Sequence, residues 1–317
     1  MTQRWLPTAL VVFLSTLAVA AQAQTARSFV ASTGSDANTA TNCPRSNPCR
    51  FFGAAFGVTN AGGEVVALDS AGFGGLPNIN KAITIEALPG QLAFINTAGV
   101  SIAVNAGVGD TVTLRNLQIN GSGGGTVGVQ FNAGNTLLVE HCVINGFSST
   151  GLAASTGLVF IQDSTFTDNG TGIQLTSGAK GEITNTEVRS NNNEGLVVQT
   201  AGKAVVFRSK FIGNNRGAYA TNANSEIFFD NSVSSYNAIG LKADNTATGG
   251  FSTNDGGRIF VNGSVITNNT TKAGEGATNS FAIISRCSPA LTNTVEGNPS
   301  PFNDFQTITG GSCYSGK

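Results

Sequence analysis

The chain has 317 residues, of which 17 are Lys or Arg and 18 are Asp or Glu, and only 11% carry charge. A net charge of -1 with no basic or acidic block excludes an electrostatic nucleic-acid groove and a polybasic membrane patch. Low charge, 41 Gly and abundant Asn, Thr and β-branched residues suit stacked short strands and tight turns, not long solvated helices.

At the N-terminus, Arg4, an apolar run from Ala9 to Ala21 and the small-residue site Ala21-Gln22-Ala23 predict a signal peptide over residues 1–23, with a mature start near Gln24. The run is shorter than the roughly 20 residues of a spanning helix, so no membrane span is expected after cleavage. The protein is then secreted or periplasmic. Export makes the cysteines readable as disulfides. Cys43 and Cys49 bracket a short loop, Cys287 and Cys313 bracket the C-terminal segment, and each couple is expected to pair locally. Cys142 is left over on an apolar position, as a buried thiol or, alternatively, a reactive nucleophile. With a single His in the chain, Cys/His metal-ligand spacing is absent. Neither metal nor cofactor is expected.

Next, Phe51-Phe-Gly-Ala-Ala-Phe-Gly-Val58 spaces its apolar residues as a helix does and predicts a short cap over residues 24–60, clamped by the Cys43/Cys49 loop. Val65 to Leu68 and Ala82 to Ile85 open a run of strands. From Thr113 onward a repeat can be counted, in segments ending on Ile119, Ile144, Phe166, Val188, Phe211, Val233 and Val265. The intervals are 25, 22, 22, 23, 22 and 32 residues. A period near 22 is one turn of a solenoid. Asn169, Asn191, Asn214 and Asn268 follow three residues after these anchors. Gly151, Gly172, Gly195, Gly217 and Gly240 follow six or seven after. The order predicts a strand, an Asn-containing bend whose side chains ladder between coils, a Gly where φ turns positive or backbones crowd, and a second strand.

Strand alternation places Ile161, Ser164 and Phe166 inside and Gln162 and Thr165 outside, with a bend near Asp163. It also places Phe211 and Phe228 inside, and Phe207, Phe229 and Val261 outside as an apolar strip. The 32-residue interval implies an insertion over 244–257. The boundaries read as a β-helix over 61–272 and a C-terminal cap over 273–317.

The segment Arg27 to Asp36, the Cys43/Cys49 loop, the Phe51 helix, Gly63 to Phe73, Lys81 to Ile85 and the coils from Thr113 to Val265 together resemble exported bacterial right-handed parallel β-helix proteins of the pectate-lyase-like superfamily. The resemblance implies an all-β single solenoid with a short N-terminal capping helix. It also implies a scaffold shared by polysaccharide lyases, glycosidases, epimerases and non-enzymatic surface proteins. The Asn-Thr-Asp, Asp-Asp and Gly-His-Gly patterns of polygalacturonase-like hydrolases and the Trp-Ile-Asp-His segment of pectate lyases do not occur in this sequence.

One lateral position is polar in each aligned coil: Asn116, His141, Asp163, Asn185, Arg208, Asp230 and Asn262. A His beside an Asp is the arrangement of a general base, and Arg208 or Lys210 would steady a carboxylate or abstract a proton α to it. Glu140 and Glu187 stand near the row, as binding residues together with Phe207, Phe229, Asp230 and Asn262. A solvated face is the competing reading, and His141 and Arg208 are three coils apart, roughly 14 Å at strand spacing. Three functions follow: non-catalytic binding of a polysaccharide or cell-surface glycan along the outer face, a lyase or hydrolase around His141, Asp163 and Arg208, or a structural adhesin-like module.

Overall fold

The computed structural model describes residues 24–121, 124–222, 224–244 and 256–276, followed by the short strands Ala282–Ser285, Thr294–Glu296, Phe302–Asn303 and Gln306–Ile308. The signal-peptide segment and the expected Cys287–Cys313 pair lie outside the described residues. Three parallel sheets of 12, 10 and 10 strands, here A, B and C, run the length of the molecule. Each central coil gives one strand to each sheet in turn, as Leu158–Gln162, Thr165–Thr167 and Thr171–Leu175 do. The product is a parallel β-solenoid, wound in the right-handed sense that parallel crossovers favour.

The inside of a coil follows from strand alternation interrupted at fixed bends. Val159 and Ile161 are buried while Leu158, Phe160 and Gln162 face out. Asp163, at φ 50°, then turns the chain so that Ser164 and Phe166 return to the interior. Two polar columns run through the core beside the apolar ones. In the first, the backbone N–H groups of Cys142, Ser164, Thr186, Ser209 and Ser232 donate to the hydroxyls of Ser164, Thr186, Ser209, Ser232 and Ser264 one coil on. In the second, Asn169, Asn191, Asn214, Asn237 and Asn269 form the expected ladder, each accepting at Oδ1 from the backbone N–H one coil before. Fully satisfied buried networks of this kind fix the stacking register.

Cys142 heads the hydroxyl column, with its Sγ near the carbonyls of Leu114 and Glu140. Burial pushes its thiol up to about 12, which removes the thiolate a nucleophile needs. At the N-terminal end, helix α1 (Phe52–Val58) buries Phe52 and Ala55. Cys43 and Cys49 are disulfide-bonded as expected. Lys81 Nζ donates to the carbonyls of Phe56 and Thr59 at the end of α1, tying the cap to the coils.

The apolar strip needs correction in the coils after residue 212. Strand pairing sets Phe211 beside Ser234 and Ser234 beside Ile266, so the inward positions are Ser234 and Ile266 and not Val233 and Val265. Ser234 is tolerated inside because its hydroxyl donates to the Gly240 carbonyl and accepts from Asn237. Alignment by apolarity therefore slips one place, and in a strand one place exchanges the faces. Phe229 and Val261 are buried, 1% and 2% exposed, whereas Phe228 is 38% exposed. The ladder Asn of the next coil is Asn269, and Asn268 is the left-handed residue before it.

Candidate functional site

The polar row is first a conformational feature. Asn116, His141, Asp163, Asn185 and Arg208 all have φ between 48° and 56°, and each donates its backbone N–H to the carbonyl one coil on. Asn and Asp tolerate this left-handed geometry and His follows them, which explains most residue types in the column. Asn231 and Gly263 continue it, at φ 45° and 52°. Asp230 and Asn262, expected in the row, sit one place earlier, in strand register with Phe207.

Within the row, His141 Nε2 lies 3.8 Å from Asp163 Oδ2, too far for a hydrogen bond. The Asp163 carboxylate accepts instead from the side-chain amides of Asn185 and Gln162. These two bonds hold it below the usual aspartate range, with the charge of His141 a smaller contributor and partial desolvation opposing. A carboxyl depressed in this way adds stability above its unfolded value near about 3.9 and loses that contribution as pH falls through the lower folded value. Asn185→Ala is expected to move the Asp163 titration back upward, read by side-chain carboxyl NMR. An unmoved titration would contradict the assigned cause.

Other expected site residues are dispersed. Arg208 folds over the Phe207 ring, its guanidinium carbon 4.4 Å from the centroid. Asp230 accepts from Asn262 Nδ2 at 2.8 Å. Lys210 and Glu187 are register partners on sheet B, but Glu187 pairs with Arg189 at 2.8 Å. The expected His141, Asp163, Arg208 and Lys210 constellation is thus not drawn into one compact centre.

Two features were missed in the sequence. One is a groove of about 580 Å³ lined by Glu86, Arg115, Asn116, His141 and the turn at Pro89 and Gly90. At its floor Arg115 Nε donates to Glu140 at 2.7 Å and Nη1 to Glu86 at 3.1 Å. The signal was present one place before the polar row, where Glu86, Arg115 and Glu140 alternate in sign on consecutive coils. The other is the outward strip of sheet A. Register aligns Leu138, Phe160, Glu182, Val205, Phe228 and Phe260 in one column. Phe160, Val205 and Phe228 are exposed, the rings of Phe228 and Phe260 stack at 4.6 Å, and Phe207 lies in the adjacent column.

The polar row joins sheet A to sheet B, and residues 245–255, which hold most of the expected insertion, lie outside the described residues. A separate cluster on sheet C is satisfied internally: Tyr219 donates to Asp244, Arg216 pairs with Glu194, and Lys242 pairs with Asp244. Burial pushes the Tyr219 hydroxyl up to about 12. Among the described residues, no group of three or more His, Cys, Asp or Glu is placed to hold a metal ion, and no helix is long and apolar enough to cross a membrane.

The family profile described as "Right handed beta helix region" matches residues 92–234 and 127–299. No curated protein matches the sequence. Among solved structures, an alginate lyase from Paenibacillus sp. str. FPU-7 superposes with a TM-score of 0.66 at 13% identity, over 88% of this chain and 99% of that one. Pectate lyase Pel9A gives 0.53 at 16% identity, over 89% and 77%. The enzymatically active domain of tailspike protein 2 of Bacteriophage CBA120 gives 0.57 at 15% identity, over 81% of this chain and 43% of the other. At these identities the likeness is one of fold.

Proposed function

Since the chain belongs to the right-handed β-helix family, whose stacked coils offer long surfaces for extended ligands, we propose that it is an exported, non-catalytic protein that binds glycans along the outer face of sheet A. The observation that carries this reading is the column of Phe160, Val205, Phe228 and Phe260, apolar side chains turned outward on one flat face. Sugars present apolar C–H faces that stack on rings, and their hydroxyls suit the polar groups that flank the strip. That three fold relatives carry names of lyases or a tailspike is consistent with a polysaccharide partner. Export rests on residues 1–23, and the Cys43–Cys49 bond suits an oxidising compartment.

A glycan array with the purified mature chain is expected to show saturable binding. Phe228→Ser with Phe260→Ser should weaken that binding at least about tenfold, because covering a Phe side chain contributes about 1.5–3 kcal/mol and 1.4 kcal/mol is about tenfold. Phe228 is 38% exposed and Phe260 is half-buried beside it on the outer face, so the fold should persist, with thermal unfolding as the check. A flat array sinks the proposal. Release of new reducing ends or unsaturated sugars, lost in His141→Ala or Arg208→Ala, would favour the lyase or hydrolase instead.

A further inference from the structure

The charges around the strip distinguish between classes of glycan. Toward the N-terminal coils, Glu86 and Glu140 flank one guanidinium, Arg115, which is engaged by both. The hydrogen bonds that Asp163, beside His141, accepts from the side-chain amides of Asn185 and Gln162 favour its ionised form. A uronate entering this groove meets Glu86 and Glu140, an Arg115 already engaged by both, and His141 standing 3.8 Å from the Asp163 carboxylate, whereas recognition of a carboxylate calls for a free Arg or Lys.

Further along the face, Glu226 is held by both Lys203 and Arg258, at 2.5 and 3.6 Å. Arg208 is spread over the Phe207 ring with Asp230 in the next strand position. Lys180 has Glu182 two residues on and on the same face of its strand. Lys203 and Arg258 are thus engaged by Glu226, and the outward column Phe160, Glu182, Val205, Phe228 and Phe260 is apolar at every position but Glu182, which adds a further carboxylate.

We infer that the ligand of this face is an uncharged polysaccharide, recognised by stacking on the Phe strip and by hydroxyl hydrogen bonds to the Glu86, Arg115 and Glu140 array; the inference rests on the sheet A reading above. Uncharged sugars lose nothing to the groove's negative potential. Glu and Arg side chains held against each other are preorganised donors and acceptors for vicinal hydroxyls.

The test measures binding of the purified mature chain to three sets of oligosaccharides: uncharged β-glucan, xylan and mannan fragments, polygalacturonate and alginate fragments, and chitosan fragments. At least one uncharged set is expected to bind, with affinity changing less than about twofold between low and high salt. The charged sets should bind at least about tenfold more weakly. The double variant Glu86→Gln with Glu140→Gln, its folding checked by thermal unfolding, releases Arg115 and is expected to gain at least about tenfold in affinity for the polyuronates. Polyuronate or chitosan binding as tight as the best uncharged ligand overturns the inference, as does a double variant that gains nothing. Failure of every glycan to bind overturns the sheet A reading itself.

Discussion

Asn191→Ala is expected to lower the unfolding free energy by about 3–5 kcal/mol. The side chain is buried and makes four hydrogen bonds: it accepts from the backbone N–H and the side-chain amide of Asn169, and donates to the Phe166 carbonyl and to Asn214 Oδ1. Alanine removes all four and leaves the Asn169 backbone N–H and the Phe166 carbonyl without these partners inside the core. Each buried polar group so stranded costs about 1–3 kcal/mol, and the vacated volume adds a cavity contribution. Chemical denaturation measures the total. Hydrogen exchange locates it, because in a solenoid the damage should centre on the adjacent coils, with the Asn169 amide accelerated most. A loss below about 1 kcal/mol would mean that the ladder is ornamental to stability.

Gly195→Ala is expected to cost at least about 3 kcal/mol, at the upper end of overpacking penalties. A Cβ at this position would lie 2.6 Å from the Gly217 carbonyl oxygen and 2.8 Å from the Phe211 ring. The obstruction is the backbone of the next coil, which cannot rotate away as a side chain can. Gly151 and Gly172 meet the same obstacle, at 2.7 and 2.6 Å from the carbonyls of Gly172 and Gly195. Gly178→Ala provides the contrast. Its Cβ would enter open space, and the cost would arise from its φ of 81° alone, about 1–2 kcal/mol. Equal losses in the two variants, measured by urea unfolding, would show that coil crowding is not what the Gly column answers to.

Much of the architecture could be read from the chain because the same local problem recurs in each coil. Each turn needs an amide to close the Asn bend, a Gly where coils touch, and apolar residues at alternate strand positions. The Gly column also separates two readings that the sequence left together. Gly151, Gly172, Gly195, Gly217 and Gly240 are absent from the positive-φ residues, so crowding, and not left-handed backbone, explains them. Where the local signal was degenerate, the reading slipped. Phe228 and Phe229 are adjacent and equally apolar, and Val233 advertised itself as a core residue beside the true inward Ser234. A hydroxyl can occupy the interior only because Gly240 and Asn237 satisfy it, and those partners are invisible to a pattern of hydrophobicity.

The candidate site was legible only in part for a related reason. His141 and Asp163 could be aligned because their coils are of equal length, and they do lie side by side, though without the hydrogen bond a base would use. Arg115 meets Glu86 across 29 residues and Glu140 across 25, so no single period brings the three into line. The sequence by itself determined the solenoid, its Asn ladder as far as Asn214 and its N-terminal capping helix, since these arise from requirements local to one coil or one segment. Only the tertiary structure decided which Phe side chains face outward and which charges neutralise one another. Both depend on the register between coils of unequal length, and a shift of one residue exchanges the two faces of a strand.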